Sequence, residues 1–263
     1  MKTFIKYLHL WLKLTENSFL ISLTSKFNAL IYLLGKILRF GLTLGFIFVL
    51  FGQTKKIDDF NVIQFTFFFL TYTVIDTITQ LFFREVYRFR PMVVSGDFDL
   101  ILVKPMNPLF RALAGGADPL DLLMLIPYIA ILIYIAGRLG TLSVLHVVLY
   151  ILLIANGLLM ATAFHILVLA LAIVTTEIDH AVMIYRDLTS MGRVPVDIYR
   201  EPMRTILTFI IPVGVMMTVP AKAFLGLLTP WVIIASFVLG IVFFLLCFRL
   251  WNVALTKYAS ASS

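Results

Sequence analysis

The sequence predicts an all-α, polytopic membrane protein, and three observations carry that prediction. Apolar residues make up 61% of the 263 and charged residues 13%, with a mean hydropathy of +1.02. A soluble domain has about 25% charged residues, so this chain has too little polar surface to coat a water-facing globule. Second, the apolar residues fall in runs of about 20, the length at which a helix rising 1.5 Å per residue crosses a hydrocarbon core of about 30 Å. Third, the alternating strands of about 10 residues that build an outer-membrane barrel are not visible. The net charge of +7 would point to nucleic acid in a soluble protein. In a membrane protein it follows from the gathering of Lys and Arg on the cytoplasmic side, so no nucleic-acid partner is expected. The single cysteine, Cys247, rules out an internal disulfide.

The first element, within residues 1–26, is an interfacial helix. Lys2, Lys6, His9, Lys13 and Glu16 recur at helical spacing on one face, and Phe4, Ile5, Leu8, Trp11 and Leu12 cover the other. Such a helix lies on headgroups with its basic face toward them. The polar break "HLWLKLTENSF" and the want of a small-residue cleavage site argue against a removable signal. The first span is about 28–51, with Lys36 and Arg39 in its first half, expected to snorkel to the cytoplasmic interface. A short turn leads to a second span at about 61–83. Thr66, Thr73, Asp76, Thr77 and Gln80 line up on one side of it, either bonding to neighbouring helices or facing a water-filled path.

The polar segment 84–119 follows, then a third span at about 120–137 in which Pro127 is positioned to kink the helix. A fourth covers much of 142–174 and holds His146, Asn156 and His165; no two of these have the i, i+4 spacing of a helical metal site. The last span is about 230–251. Between the fourth and last, two arrangements stay open, each with six crossings and both termini cytoplasmic. In the first, 177–204 is a cytoplasmic loop and 205–222 the fifth span. In the second, about 177–197 is a polar fifth span and 201–226 dips into the outer leaflet and returns. Charge counting favours the first, since it leaves only Lys55, Lys56, Arg138 and Lys222 outside. The second brings Glu177, Asp179, Arg186 and Asp187 into or near the bilayer, Arg186 and Asp187 neutralising each other.

Catalytic motifs are missing. There is no G-x-x-x-x-G-K-[ST] loop, and "LGKI" at 34–37 lacks both the upstream glycine and the hydroxyl residue. No H-E-x-x-H or G-x-S-x-G occurs, and the four histidines stand far apart. The chain is therefore expected to be no enzyme, with no catalytic residues, no cofactor and no metal of its own.

Segment 84–119 carries the functional signal. Pro91 and Pro105 isolate "MVVSGDFDLILVK", too short to span and too apolar for a flexible linker. A rigid short helix with a mixed face between two spans suits docking of a soluble subunit. Its "SGDFDLILVKPMNPLFR" resembles the "G-x-[LF]-D-x-x-L-x-[KR]-P-x-[NS]-P-L-F" pattern of bacterial multidrug-exporter-like permeases of the ABC type-2 transporter superfamily. Residues 192–226, "GRVPVDIYREPMRTILTFIIPVGVMMTVPAKAFLG", and the tail "ALTKYASASS" are similar to two further stretches of that group, in the same order. Val194 departs from the usual aromatic before Pro195, and the usual glycine after Ser260–Ala261 is absent.

The resemblance implies a six-span half-transporter with an N-terminal interfacial helix, a cytoplasmic coupling helix and outer re-entrant helices at 201–226. It favours the second arrangement. It also implies a second permease, as homo- or heterodimer, and separate ABC ATPase subunits that hold ATP and Mg, in a bacterial plasma (inner) membrane. Gly96, Asp97, Phe98, Asp99, Lys104 and Pro105 are the expected coupling residues. Thr73, Asp76, Gln80 and Asn156 are the candidates for a translocation path. An ion-gradient carrier, or a membrane anchor for an ATPase, stays as the alternative. The many aromatic residues suit an apolar or cationic cargo and equally an ordinary lipid-facing surface.

Overall fold

The computed structural model describes residues 2–24, 26–140, 143–175 and 178–258. Glu177 and the tail residues Ser260 and Ala261 lie outside the described residues, as do the side chains of Lys2 and Asp179. The chain is helical almost throughout. Helices α1 (Lys2–Thr24), α2 (Lys26–Gln53) and α3 (Val62–Phe83) are followed by three short helices, α4 (Phe89–Val94), α5 (Asp97–Leu102) and α6 (Pro108–Leu113). Then come α7 (Pro119–Gly137), α8 (Val144–Thr175), α9 (Ile178–Ser190), a bent pair α10 (Met203–Ile210) and α11 (Gly214–Phe224), and α12 (Pro230–Thr256). Among the described residues five stretches are long and apolar enough to span, α2, α3 with its continuation to Val94, α7, α8 and α12, and the bent pair α10–α11 makes six if it is counted as one span.

Several starts are written locally. Asn61 accepts from the N–H groups of Ile63 and Gln64, both at 3.0 Å, and Gln64 returns a side-chain acceptor to the Asn61 N–H. Asn107-Pro108 and Asp118-Pro119 open α6 and α7 with a side-chain cap and a proline whose missing N–H costs nothing at that position. Pro127 stays inside one uninterrupted helix, α7.

Helix α8 is the centre of the packing. Its Gly157 lies so close to α11 that an added Cβ would stand 2.6 Å from the Met216 carbonyl oxygen. Asn156 donates to the Ser236 carbonyl at 3.0 Å, and Gly240 of α12 makes room for its amide. Phe164 packs on Phe243 at 4.7 Å between ring centres. Helix α2 is the opposite case: Ile47 is its single buried residue among those described, and it turns Phe27, Leu38, Leu42, Phe46 and Val49 outward.

Between α8 and α12 the chain forms the 13-residue α9, which is not among the stretches long and apolar enough to span, and the bent pair α10–α11. Tyr185 of α9 packs on Phe164 and His165, so α9 runs back along α8. Beyond it, Asp197 Oδ1 accepts from both Arg204 (2.8 Å) and Lys222 (2.7 Å). The start of α10 and the end of α11 therefore meet at one carboxylate, and the pair bends by 77° between them. Gly226 follows against the His146 ring, in the first turn of α8. Segment 201–226 thus enters and leaves at the same end of the bundle. Charge counting favours the first arrangement because it assigns every charge in 177–204 to water. Here Arg186 and Asp187 are exposed and, with Arg193, line an open-sided cavity. No ion pair joins Arg186 to Asp187 among the described residues.

Candidate functional site

Two features stand out, one at an end of the bundle and one between its helices. At the end, Gly96 adopts φ +81°, a left-handed turn open to glycine at little cost, and so redirects the chain from α4 into α5. Phe98 on α5 is fully buried. It sits 5.0 Å from Phe89, 6.5 Å from Trp251 and 5.2 Å from Tyr258 between ring centres, so α5 is fastened to the far end of α12. Burial, and then the Asp99 carboxylate beside it, push the Tyr258 hydroxyl up to about 12, which keeps it neutral.

A second set of contacts ties α1 to the same segment. Lys6 donates to the Pro105 carbonyl at 2.9 Å, the Asn107 N–H donates to Tyr7 Oη at 2.9 Å, and the Ala117 N–H donates to Thr15 at 3.1 Å. The face of α1 that packs is therefore Lys6, Tyr7, Trp11 and Thr15, a stripe that cuts across the basic and apolar faces read from sequence. Phe4, Ile5, Leu8 and Leu12 remain exposed. Glu85 is buried and pairs with Arg111 at 2.8 Å, and Gly115 leaves the space its side chain fills. Around α5 lies an open groove of about 620 Å³ whose wall includes Glu85, Arg88, Met92, Asp97, Leu100 and Lys104.

A cavity of about 980 Å³, open on one side past exposed Ile31, Tyr32 and Met183, lies between α2, α3, the first turns of α7, and α9. Thr73, Asp76 and Gln80 are on its wall, with Thr77. Asn156 is not: it is spent on the α8–α12 seam. Thr66 is buried away from the cavity, its hydroxyl without a partner among the described residues. Lys36 and Arg39 both line the cavity, and Lys36 pairs with the buried Asp121. A charge in an apolar helix is easier to keep where it meets a carboxylate or water.

A family model described as ABC-2 family transporter protein matches residues 37–262. The chain belongs to that family. No curated protein and no solved structure matches it.

The family match covers the α5 segment, three of the four cavity walls in full and the α10–α11 pair of this ABC-2 permease. It begins inside α2 and leaves α1 outside, so the place of α1 rests on its contacts alone. Among the sequence-predicted coupling residues, the permease separates two roles. Phe98 is an internal anchor and Gly96 a turn; Asp97, Lys104 and Pro105 are exposed; Asp99 is half-buried beside Tyr258. Sequence reasoning missed Asp121, Arg186 and Arg193 as cavity residues. A usable signal existed: charges recur in several apolar or flanking segments, and charges in such places tend to share one polar interior. No group of three or more His, Cys, Asp or Glu is placed to hold a metal ion among the described residues.

Proposed function

We propose that this permease is the membrane subunit of an ATP-driven exporter, working as a dimer with separate ATPase subunits that bind ATP and Mg. The observation that carries the reading is the anchorage of α5. A docking helix transmits force only if it cannot shift alone, and Phe98 ties α5 to α12 while α6 and its flanks tie it to α1. Motion imposed on the groove beside α5 is passed to two helices at once. The 980 Å³ cavity, with Asp76 and Gln80 on its wall, is the path whose access changes. Each site then biases the same conformational equilibrium, which is what coupling between distant sites requires. In this reading both termini and the α5 end face the cytoplasm of a bacterium, and the α10–α11 pair dips in from the outer side of the plasma membrane.

Asp97 and Lys104 are exposed, whereas Asp99 is not free of the aromatic box, so the docking test uses the exposed pair. Asp97→Arg with Lys104→Glu is expected to lower co-purification of the cognate ATPase at least tenfold while membrane insertion and thermal unfolding stay unchanged. Normal co-purification overturns the docking role. Binding of the ATPase without ATP-dependent movement of any cargo in proteoliposomes would make the chain an anchor instead.

Orientation is tested separately. Asp197 is unsuitable for thiol labelling, being almost buried and doubly ion-paired, but Arg200 is exposed beside it, and Cys247 is buried. Arg200→Cys is expected to react with a membrane-impermeant maleimide in intact cells. Protection until lysis would place this end in the cytoplasm.

A further inference from the structure

The cavity has an electrostatic character that its aromatic residues alone do not convey. Lys36 is spent on Asp121. Arg84 approaches Asp118 at 3.5 Å. Arg193 stacks its guanidinium over Tyr72, 5.9 Å from the ring centre, which leaves its charge in place. Arg39 from α2 and Arg186 from α9 both line the cavity, and neither has a carboxylate within 4 Å among the described residues. Asp76 is within electrostatic reach of both, but one carboxylate balances only one of two guanidiniums. Asp187 is the other acid on the wall without an ion pair. Three arginines thus stand against two carboxylates, and the surplus is positive. Apolar surface from Phe40, Phe69 and Ile31, and the rings of Tyr32 and Tyr128, complete the wall.

We infer that this cavity takes an anionic amphiphile: a small molecule with an apolar or aromatic body and one carboxylate, sulfonate or phosphate group, which Arg39 of α2 and Arg186 of α9 hold. The inference rests on the reading of the cavity as the transport path. A guanidinium offers a planar fork of donors that fits an oxyanion in two-point contact. A volume of about 980 Å³ lies at the upper end of drug-sized sites. A cationic cargo would gain from the same aromatic rings but would meet this surplus of like charge. The anionic group can arrive on a soluble molecule or on a lipid from the bilayer, and the chemistry of recognition is shared.

The test compares two probes with one fluorophore and opposite charge, dansylglycine (anionic) and dansylcadaverine (cationic). They are titrated onto the full-length permease in phosphatidylcholine nanodiscs. Dansylglycine is expected to bind about tenfold more tightly, since a hydrogen bond to a charged group is worth roughly a factor of ten or more. Arg39→Gln and Arg186→Gln are each expected to weaken dansylglycine by about tenfold and leave dansylcadaverine unchanged or tighter. Arg39→Lys and Arg186→Lys keep the charge and lose only the fork, so each is expected to weaken it less; they decide the matter if a Gln variant fails to fold. Adding phosphatidylglycerol to the discs assigns the source: competition that vanishes in Arg186→Gln means a lipid, and no competition means a soluble ligand. Equal or tighter binding of dansylcadaverine, or indifference to both arginines, overturns the inference. Binding is read without the ATPase. A loss of ATP-driven export with charge-selective binding intact therefore sinks the exporter reading alone, and charge-blind binding in a preparation that still exports sinks this one alone.

Discussion

Phe98→Ala is expected to release the α5 helix from the bundle. The side chain is fully buried among Phe89, Trp251 and Tyr258, and truncating such a phenylalanine costs about 3–5 kcal/mol. Helix α5 has six residues, too few to stay helical without tertiary support. The loss therefore falls on the local structure before it reaches the long spans. Limited thermolysin digestion should reveal it as rapid cleavage before Leu102 or Val103, which are already exposed, with α3 and α12 still protected. ATPase co-purification should fall with it, although Phe98 itself presents nothing to a partner. Phe98→Leu keeps most of the apolar volume and should retain most of both properties. If Phe98→Ala digests like the parent, the aromatic box is not what holds α5.

Asp121→Ala is expected to destabilise the membrane bundle by about 3 kcal/mol, the lower end of the range for removing one partner of a buried ion pair. Asp121 is buried and Lys36 is about three-quarters buried, so the lysine left behind keeps partial access to the open-sided cavity. That access is why the low end applies. Removing both charges, as Lys36→Met with Asp121→Leu, should recover most of the loss, because the cost lies in the uncompensated charge rather than in the missing attraction. Equilibrium unfolding in mixed detergent micelles reads both variants. A single variant as stable as the parent would mean that the pair does not join α2 to α7.

Much of this architecture is legible in the residues, and its limits are instructive. The five apolar spans lie within a few residues of where hydropathy puts them, and Asn107-Pro108 and Asp118-Pro119 mark two helix starts. The polar segment between the second and third spans is visible as an anomaly, and it holds a short helix in the expected place. Its residues were grouped by proximity in sequence, however, and the fold divides them: Phe98 turns in toward α12 and Asp97 turns out. Polarity in an apolar helix marks Asn156 as a path candidate; the groups that it contacts, the Ser236 carbonyl and Gly240, lie 80 and more residues away. The partner of Lys36, and the cavity that it and Arg39 line, are likewise contributed by helices distant in sequence, α3, α7 and α9.

The amino-acid sequence by itself determined that the protein is helical and membrane-spanning, where its long spans run, and which segment between them stands out as polar and broken by prolines. Those properties depend on residues within about one span of each other, where hydropathy, caps and prolines act. Only the tertiary structure decided that 178–193 runs back along α8, that 201–226 enters and leaves at one end, and that charges from α2, α3, α7 and α9 surround one cavity. A buried charge is tolerable or not according to what faces it, and what faces it comes from helices far along the chain.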